Sequence, residues 1–500
     1  GPPRATGFAE PKFPDPSVIP AEGWYKTRLS VTGQGGTDED TVRIYVDKSN
    51  LPARYWSLQH EALQFPAWGE DYTLAEYPIW LTDRRLDSLK VLDDQGGVSP
   101  RLLVRAGKTV FALDNNGALV WEKRPQMGPP FHFSHDFSRN LAVDVVGGDR
   151  VVLFAAHELK NFTDGEKLFI YLLKLTDGTP LNNANWPVEI DGTIPEHVAI
   201  ADVAGGPEME VIITEIRRYH VGVSASNVSG PKLRVLDHNG NEVWTRTFPV
   251  ELFSLEGILT ANVDGAGKDE IIIVGTGQIL KGDNTFLPAW GAAGTYKSVD
   301  VVQRSSGNPD IVLADYGGNI SLKTYQGGVR PGWPISATGG VSVTAGQVVA
   351  AGHEEIVVWK TTIKVYDTNG APPTGWTDID LNGNCSRLIL KDVDNDNTDE
   401  FVALVNRLNQ APAATELVGS YLEVYEFDGN RLGDTDTRWP VHLPFLNLVV
   451  SPLPPDMHRQ VTIGDVDGDA KLEVVQLLRI LPWESGVVAP SARIEVMDLD

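Results

Sequence analysis

The chain has 500 residues, 42% of them apolar, with 49 glycines, 33 prolines and a formal net charge of −25. That apolar share can fill a large core, while so much Gly and Pro favours many turns over long helices. The acidic balance argues against a nucleic-acid partner, which rewards basic patches, and no run of about 18 apolar residues is present to span a membrane.

Residues 1–40 are proline-dense and then run through Gly33, Gly35 and Gly36 into Asp38, Glu39 and Asp40. This composition predicts an extended arm with a flexible joint. The start, Gly1-Pro2-Pro3, has neither a basic nor an apolar leader region and reads as a mature end or a cloning remnant. Residues 41–85 hold two strand-like segments, Val42–Val46 and Tyr77–Leu81, in a stretch otherwise rich in Trp, Tyr and Pro. The lone cysteine, Cys385, cannot form an internal disulfide, so packing, with or without metal, holds the fold together in place of crosslinks.

From residue 86 to 500 one unit recurs, which makes self-similarity the leading signal. Each copy has a short apolar strand, an acidic or Gly-rich loop and a strongly apolar strand. A variable loop, a third strand and a tryptophan segment follow. Copies begin near Leu89, Leu141, Val198, Leu259, Val299, Val341, Leu388 and Val461. The downstream half repeats an Asn-Gly or Asp-Gly hairpin signal, as in Leu233–Trp244, Ile363–Gly370 and Leu422–Gly429. Trp-Pro pairs at Trp186, Trp333 and Trp439 place a proline on an outer strand, where a missing N–H does no harm.

About eight units of four short strands, with no helical period, predict an all-β protein: a β-propeller of seven to eight blades. A linear β-solenoid is the competing architecture, with shorter repeats. The last unit stops near Ile494–Asp500 without a tryptophan strand. Val42–Val46 or Tyr77–Leu81 is then expected to complete it and close the ring, unless the chain is a fragment of a longer protein.

The sharpest chemistry lies in two acidic loops. One runs Asp392, Asp394, Asp396, Thr398, Glu400; its twin runs Asp465, Asp467, Asp469, Lys471, Glu473. Calcium takes six to eight oxygens at about 2.3–2.6 Å. Carboxylates at positions one, three and five of a tight loop converge on one point, a carbonyl at position seven adds an oxygen and the acid at nine closes the shell. Four carboxylates in nine residues repel one another unless a cation compensates. A weaker copy, Asn262, Asp264, Lys268, Glu270, has Ala266 at position five; Asp202–Glu210 and Asp144–Asp149 read as ion-free turns.

This repeat with its D-x-D-x-D-x-x-x-E loop resembles the FG-GAP/VCBS family of β-propellers, found in integrin α-chains and in many bacterial secreted proteins. The resemblance implies a secreted or cell-surface protein whose loops hold calcium to stiffen the blade edge, with Thr398 and Lys471 acting through their carbonyls. It also implies a binding or adhesion surface for protein or glycan. Most copies have lost the loop, so ions cannot hold every blade.

Nucleophile-elbow, metalloprotease and phosphate-loop motifs are absent. Arg217, Tyr219 and His220 follow an apolar strand and offer one enzymatic alternative, a propeller-type polysaccharide lyase in which a His or Tyr base works beside an acid-neutralising Arg. A further alternative is a structural subunit of a surface assembly, or an accessory domain. Four N-x-S/T sequons, at Asn161, Asn227, Asn319 and Asn384, mark possible glycan acceptors.

Overall fold

The computed structural model describes residues 23–33, 36–46, 53–56, 88–92, 102–106, 109–115, 118–123, 140–159, 166–182, 185–191, 194–216, 229–249, 251–252, 255–349, 354–393, 396–408, 417–429, 441–443, 459–466, 472–480 and 491–498. Among them there is no helix, and every named element is a strand. Three strands precede the repeats: β1 (Gly23–Gly33), β2 (Gly36–Val46) and β3 (Ala53–Trp56).

The repeats form eight antiparallel sheets, here blades I to VIII. Blade I holds β4 (Ser88–Val91), β5 (Leu102–Ala106), β6 (Thr109–Leu113) and β7 (Leu119–Lys123). Blade II holds β8 (Ala142–Val146), β9 (Asp149–Leu159), β10 (Glu166–Lys174) and β11 (Val188–Asp191). Blade III holds β12 (Pro195–Ala201), β13 (Glu210–Glu215), β14 (Lys232–Leu236) and β15 (Glu242–Thr247). Blade IV has three strands, β16 (Ile258–Ala261), β17 (Glu270–Ile273) and β18 (Ile279–Leu280), its outer edge marked by a single bridge from Leu280 to Phe286.

Blade V holds β19 (Tyr296–Val302), β20 (Asp310–Asp315), β21 (Asn319–Thr324) and β22 (Ile335–Ser336). Blade VI holds β23 (Ser342–Gly346), β24 (Glu355–Trp359), β25 (Thr362–Tyr366) and β26 (Ile379–Asp380). Blade VII holds β27 (Asn384–Lys391), β28 (Glu400–Leu408), β29 (Leu417–Tyr425) and β30 (Val441–Leu443). Blade VIII holds β31 (Arg459–Gly464), β32 (Glu473–Ile480) and β33 (Ser491–Asp498), and its fourth strand is β3.

The blades form a ring. First strands of successive blades lie side by side, β8 with β12, β12 with β16 and β19 with β23, and β31 of the last blade lies against β4 of the first. This contact excludes a linear solenoid. The closing strand differs from expectation. Ala53–Trp56 pairs with β33, Arg54 opposite Val496 and Trp56 opposite Ile494. Val42–Val46 instead ends β2, which pairs along its length with β1. Gly23–Gly33 and Gly36–Val46 are thus a pair of antiparallel strands. Tyr77–Leu81 lies outside the described residues. A four-residue strand after Pro52 is too short to show the alternation that marked the longer candidates.

The middle of each second strand carries a run of apolar residues instead of an alternation, as suits a strand packed on both faces. In β13 and β17 every residue is buried. Core clusters therefore bridge blades: Val151 and Leu153 of blade II pack with Val198, Val211 and Ile213 of blade III. Truncating any of these to alanine would cost about 2–5 kcal/mol.

The tryptophans join the blades by hydrogen bonds. Trp121 Nε1 donates to Leu175 O (2.7 Å), Trp186 to His238 O (3.1 Å), Trp244 to Gly282 O (2.7 Å), Trp290 to Tyr325 O (2.7 Å) and Trp333 to Thr368 O (3.1 Å). Every acceptor belongs to the turn after the third strand of the next blade. Pro187 and Pro334 fall one residue before the outer strands β11 and β22 and not on them, and Trp439-Pro440 lies outside the described residues. Beside the Trp333 link the backbones nearly touch. Gly332 has φ +84°, and a Cβ there would lie 1.8 Å from Asn369 O.

Candidate metal centre

The loops between first and second strands share one scaffold. In blades III, IV, VI, VII and VIII the loop ends in a buried glutamate at the start of the second strand: Glu210, Glu270, Glu355, Glu400 and Glu473. Its Oε2 accepts a backbone N–H from the loop: Val203 and Ala204 on Glu210 (both 2.9 Å), Val263 on Glu270 (2.8 Å), Val349 on Glu355 (3.1 Å), Val393 on Glu400 (2.6 Å) and Val466 on Glu473 (2.6 Å). The acid expected to close a calcium shell makes this contact in these five loops, including those of blades III and VI, which lack the carboxylates at positions three and five. One of its oxygens is therefore used to shape the loop.

The acid one residue earlier joins neighbouring blades. Asp399 N–H donates to Gln347 O (2.8 Å), while Asp399 Oδ2 accepts from Gln347 N–H (2.8 Å). Asp269 N–H donates to Asp202 O (2.8 Å), and Glu354 Oε2 accepts from Gln303 N–H (2.5 Å). Burial, and then the adjacent acids, push the carboxyls of Asp269, Glu354 and Asp399 above the usual range. In Asp399 the neighbouring acid is Asp392, in the acidic loop itself.

In blade VII the expected ligand loop is held in a tight curl. Asp392 accepts from the backbone N–H of Asp396 (Oδ1, 3.1 Å) and of Asn397 (Oδ2, 3.0 Å). Asp396 Oδ1 accepts from Thr398 N–H (2.7 Å) and from Thr398 Oγ1 (2.5 Å). Asn397 turns the chain with φ +72°. An all-oxygen donor set of this kind suits a hard cation such as Ca2+. Asp394, and in blade VIII Asp467, Asp469 and Lys471, lie outside the described residues; Asp465 and Glu473 bracket the second loop. Among the described residues no group of three or more Asp, Glu, His or Cys side chains converges on one metal point.

The weaker loop in blade IV is filled in another way. Lys281 Nζ donates to Asp264 Oδ2 at 2.8 Å. Lys268, expected to contribute its carbonyl, sends its ammonium back to blade III, where it meets Asp202 Oδ1 and Gly206 O (2.7 Å). Asn262 Oδ1 is buried without a hydrogen-bond partner.

A cavity of about 430 Å³ lies on the ring axis, lined by first strands of blades I to V. Its polar lining includes Lys90, Asn140, Thr260, Asp300 and Gln303. Burial lowers the Lys90 ammonium despite the pull of Asp144, and burial raises the Asp300 carboxyl against hydrogen bonds from Ala345, Val301 and Thr344. Lys90 and Asp300 escaped sequence reasoning; a lone charge inside an apolar first strand was the only signal. Arg217, Tyr219 and His220 lie outside the described residues, just beyond Ile216 and the end of β13.

No helix among the described residues is long and apolar enough to cross a membrane. No family model matches the chain, and no curated protein matches it. Among solved structures, a rhamnogalacturonan lyase of Bacillus licheniformis is similar over 94% of this chain and 79% of its own, at 15% identity and TM-score 0.47. The rhamnogalacturonan lyase YesW is similar over 81% and 78%, at 14% identity and TM-score 0.40. BamB from Moraxella catarrhalis is similar over 64% and 82%, at 13% identity and TM-score 0.38.

Proposed function

We propose that this chain is an extracellular propeller of FG-GAP/VCBS type, stiffened by calcium in blades VII and VIII, that presents a rigid face to a protein or glycan ligand. The observation that carries the reading is the set of backbone N–H bonds from Asp396, Asn397 and Thr398 that fixes two carboxylates of the loop, Asp392 and Asp396. A preorganised loop loses less entropy on binding. The rigid ring then leaves partner choice to its variable loops, as scaffolded binding proteins commonly do.

The test pairs a glycan and protein array with an activity screen. Binding without turnover supports the reading. β-Elimination from an acidic polysaccharide, read as absorbance near ~235 nm and abolished in His220→Ala or Tyr219→Phe, would replace it with the lyase. A defined oligomer at micromolar concentration that binds neither class of ligand would favour a structural subunit.

A further inference from the structure

Three consecutive blades carry a side-chain cation in the loop that follows the first strand. The Lys268 ammonium meets the blade III loop at its first carboxylate, Asp202, and its fifth carbonyl, Gly206. In blade IV, Lys281 reaches in from just beyond β18 to the third-position acid, Asp264, whose side chain is only 10% exposed. In blade V the third position is itself a cation, Arg304, 3.3 Å from the ninth-position acid Asp310. Arg330 grips that same carboxylate with two bonds, 2.9 and 2.7 Å. A carboxylate paired with a carbonyl, or two carboxylate oxygens, is what a divalent ion would also have taken. Blade VII differs: a threonine holds its seventh position, and Asp392 and Asp396 accept from loop N–H groups and the Thr398 hydroxyl.

We propose that Lys268, Lys281 and the Arg304–Arg330 pair are built-in replacements for a divalent ion, so that ion dependence is confined to blades VII and VIII. Blade VIII is the seam, where β3 meets β33 and β31 meets β4. This inference rests on the calcium reading of the two acidic loops.

Hydrogen exchange of the full chain in calcium and in EDTA tests it, with terbium luminescence as an independent readout of ion binding. EDTA is expected to lower protection about tenfold or more in β27–β29 and β31–β33, and to leave β13, β17 and β20 unchanged. In Lys281→Met, β16 and β17 should lose protection with or without calcium, and Lys281→Arg should keep it. If Lys281→Met does not fold, Lys268→Met reports the same effect in blade III. Loss of protection spread evenly over all blades on EDTA treatment, or full protection in Lys281→Met, overturns the proposal. Terbium failing to bind would sink the calcium reading instead, and the lysine variants would still decide the built-in cations.

Discussion

Trp290 donates its indole N–H to the carbonyl of Tyr325 in the next blade, 2.7 Å away, and four other tryptophans repeat this link around the ring. Trp290→Phe keeps most of the apolar bulk but strands a shielded carbonyl. It should lower stability by about 1–3 kcal/mol in denaturant unfolding. An unchanged midpoint would mean that the tryptophans act through packing alone.

Gly332 is required twice over, by its φ of +84° and by Asn369 O in the path of any Cβ. Gly332→Ala should cost clearly more than Gly375→Ala, which has φ +89° but open space around it. The control should cost about 1 kcal/mol. Equal costs would show that the backbones part easily at this crossing.

The fold was legible because a repeat multiplies weak signals. Each unit showed an apolar second strand and a turn such as Asn239-Gly240, where Asp237 Oδ1 accepts from both Asn239 and Asn241 N–H. The closing strand was not legible, since Ala53–Trp56 carries no pattern of its own and gains its place only from the unpaired edge of β33. The acidic loops were read as ligand spacing alone. Their Asp-Glu endings, Asp269-Glu270 and Asp399-Glu400, proved to be architecture: one acid joins blades and the next holds its own loop. Lys268 and Lys281 could not be placed because their partners lie 66 and 17 residues away.

Asp264 and Asp269 should respond to pH in opposite senses. Burial acts to raise Asp264, but hydrogen bonds from Lys281 and Ala266 outweigh it and hold the carboxyl below 3.8. Its contribution is present above that value and is lost as pH falls through the lower folded one. Asp269 is raised by burial and by Asp202, so its ionisation removes stability as pH rises from 3.8 through the higher folded value. Relative to wild type, Asp264→Asn should thus be most destabilised above pH 3.8, and Asp269→Asn should gain stability there. Parallel pH profiles would contradict the assignment.

Cys385 is 7% exposed, donates its thiol to Arg387 O at 3.0 Å and is pushed by burial up to about 12. The thiolate is the reactive form. Labelling by a thiol reagent at pH 8 should therefore track unfolding of blade VII. Rapid stoichiometric labelling of the native protein would show this blade to be open.

Calorimetric titration of calcium into ion-free protein tests the central claim most directly. Two sites per chain are expected, one in each acidic loop, both absent in the Asp392→Ala/Asp465→Ala double variant. At a hundredfold excess over Kd each site should add about 2.7 kcal/mol of stability. Absence of binding heat in the wild type, or an unchanged titration in the double variant, would contradict the account.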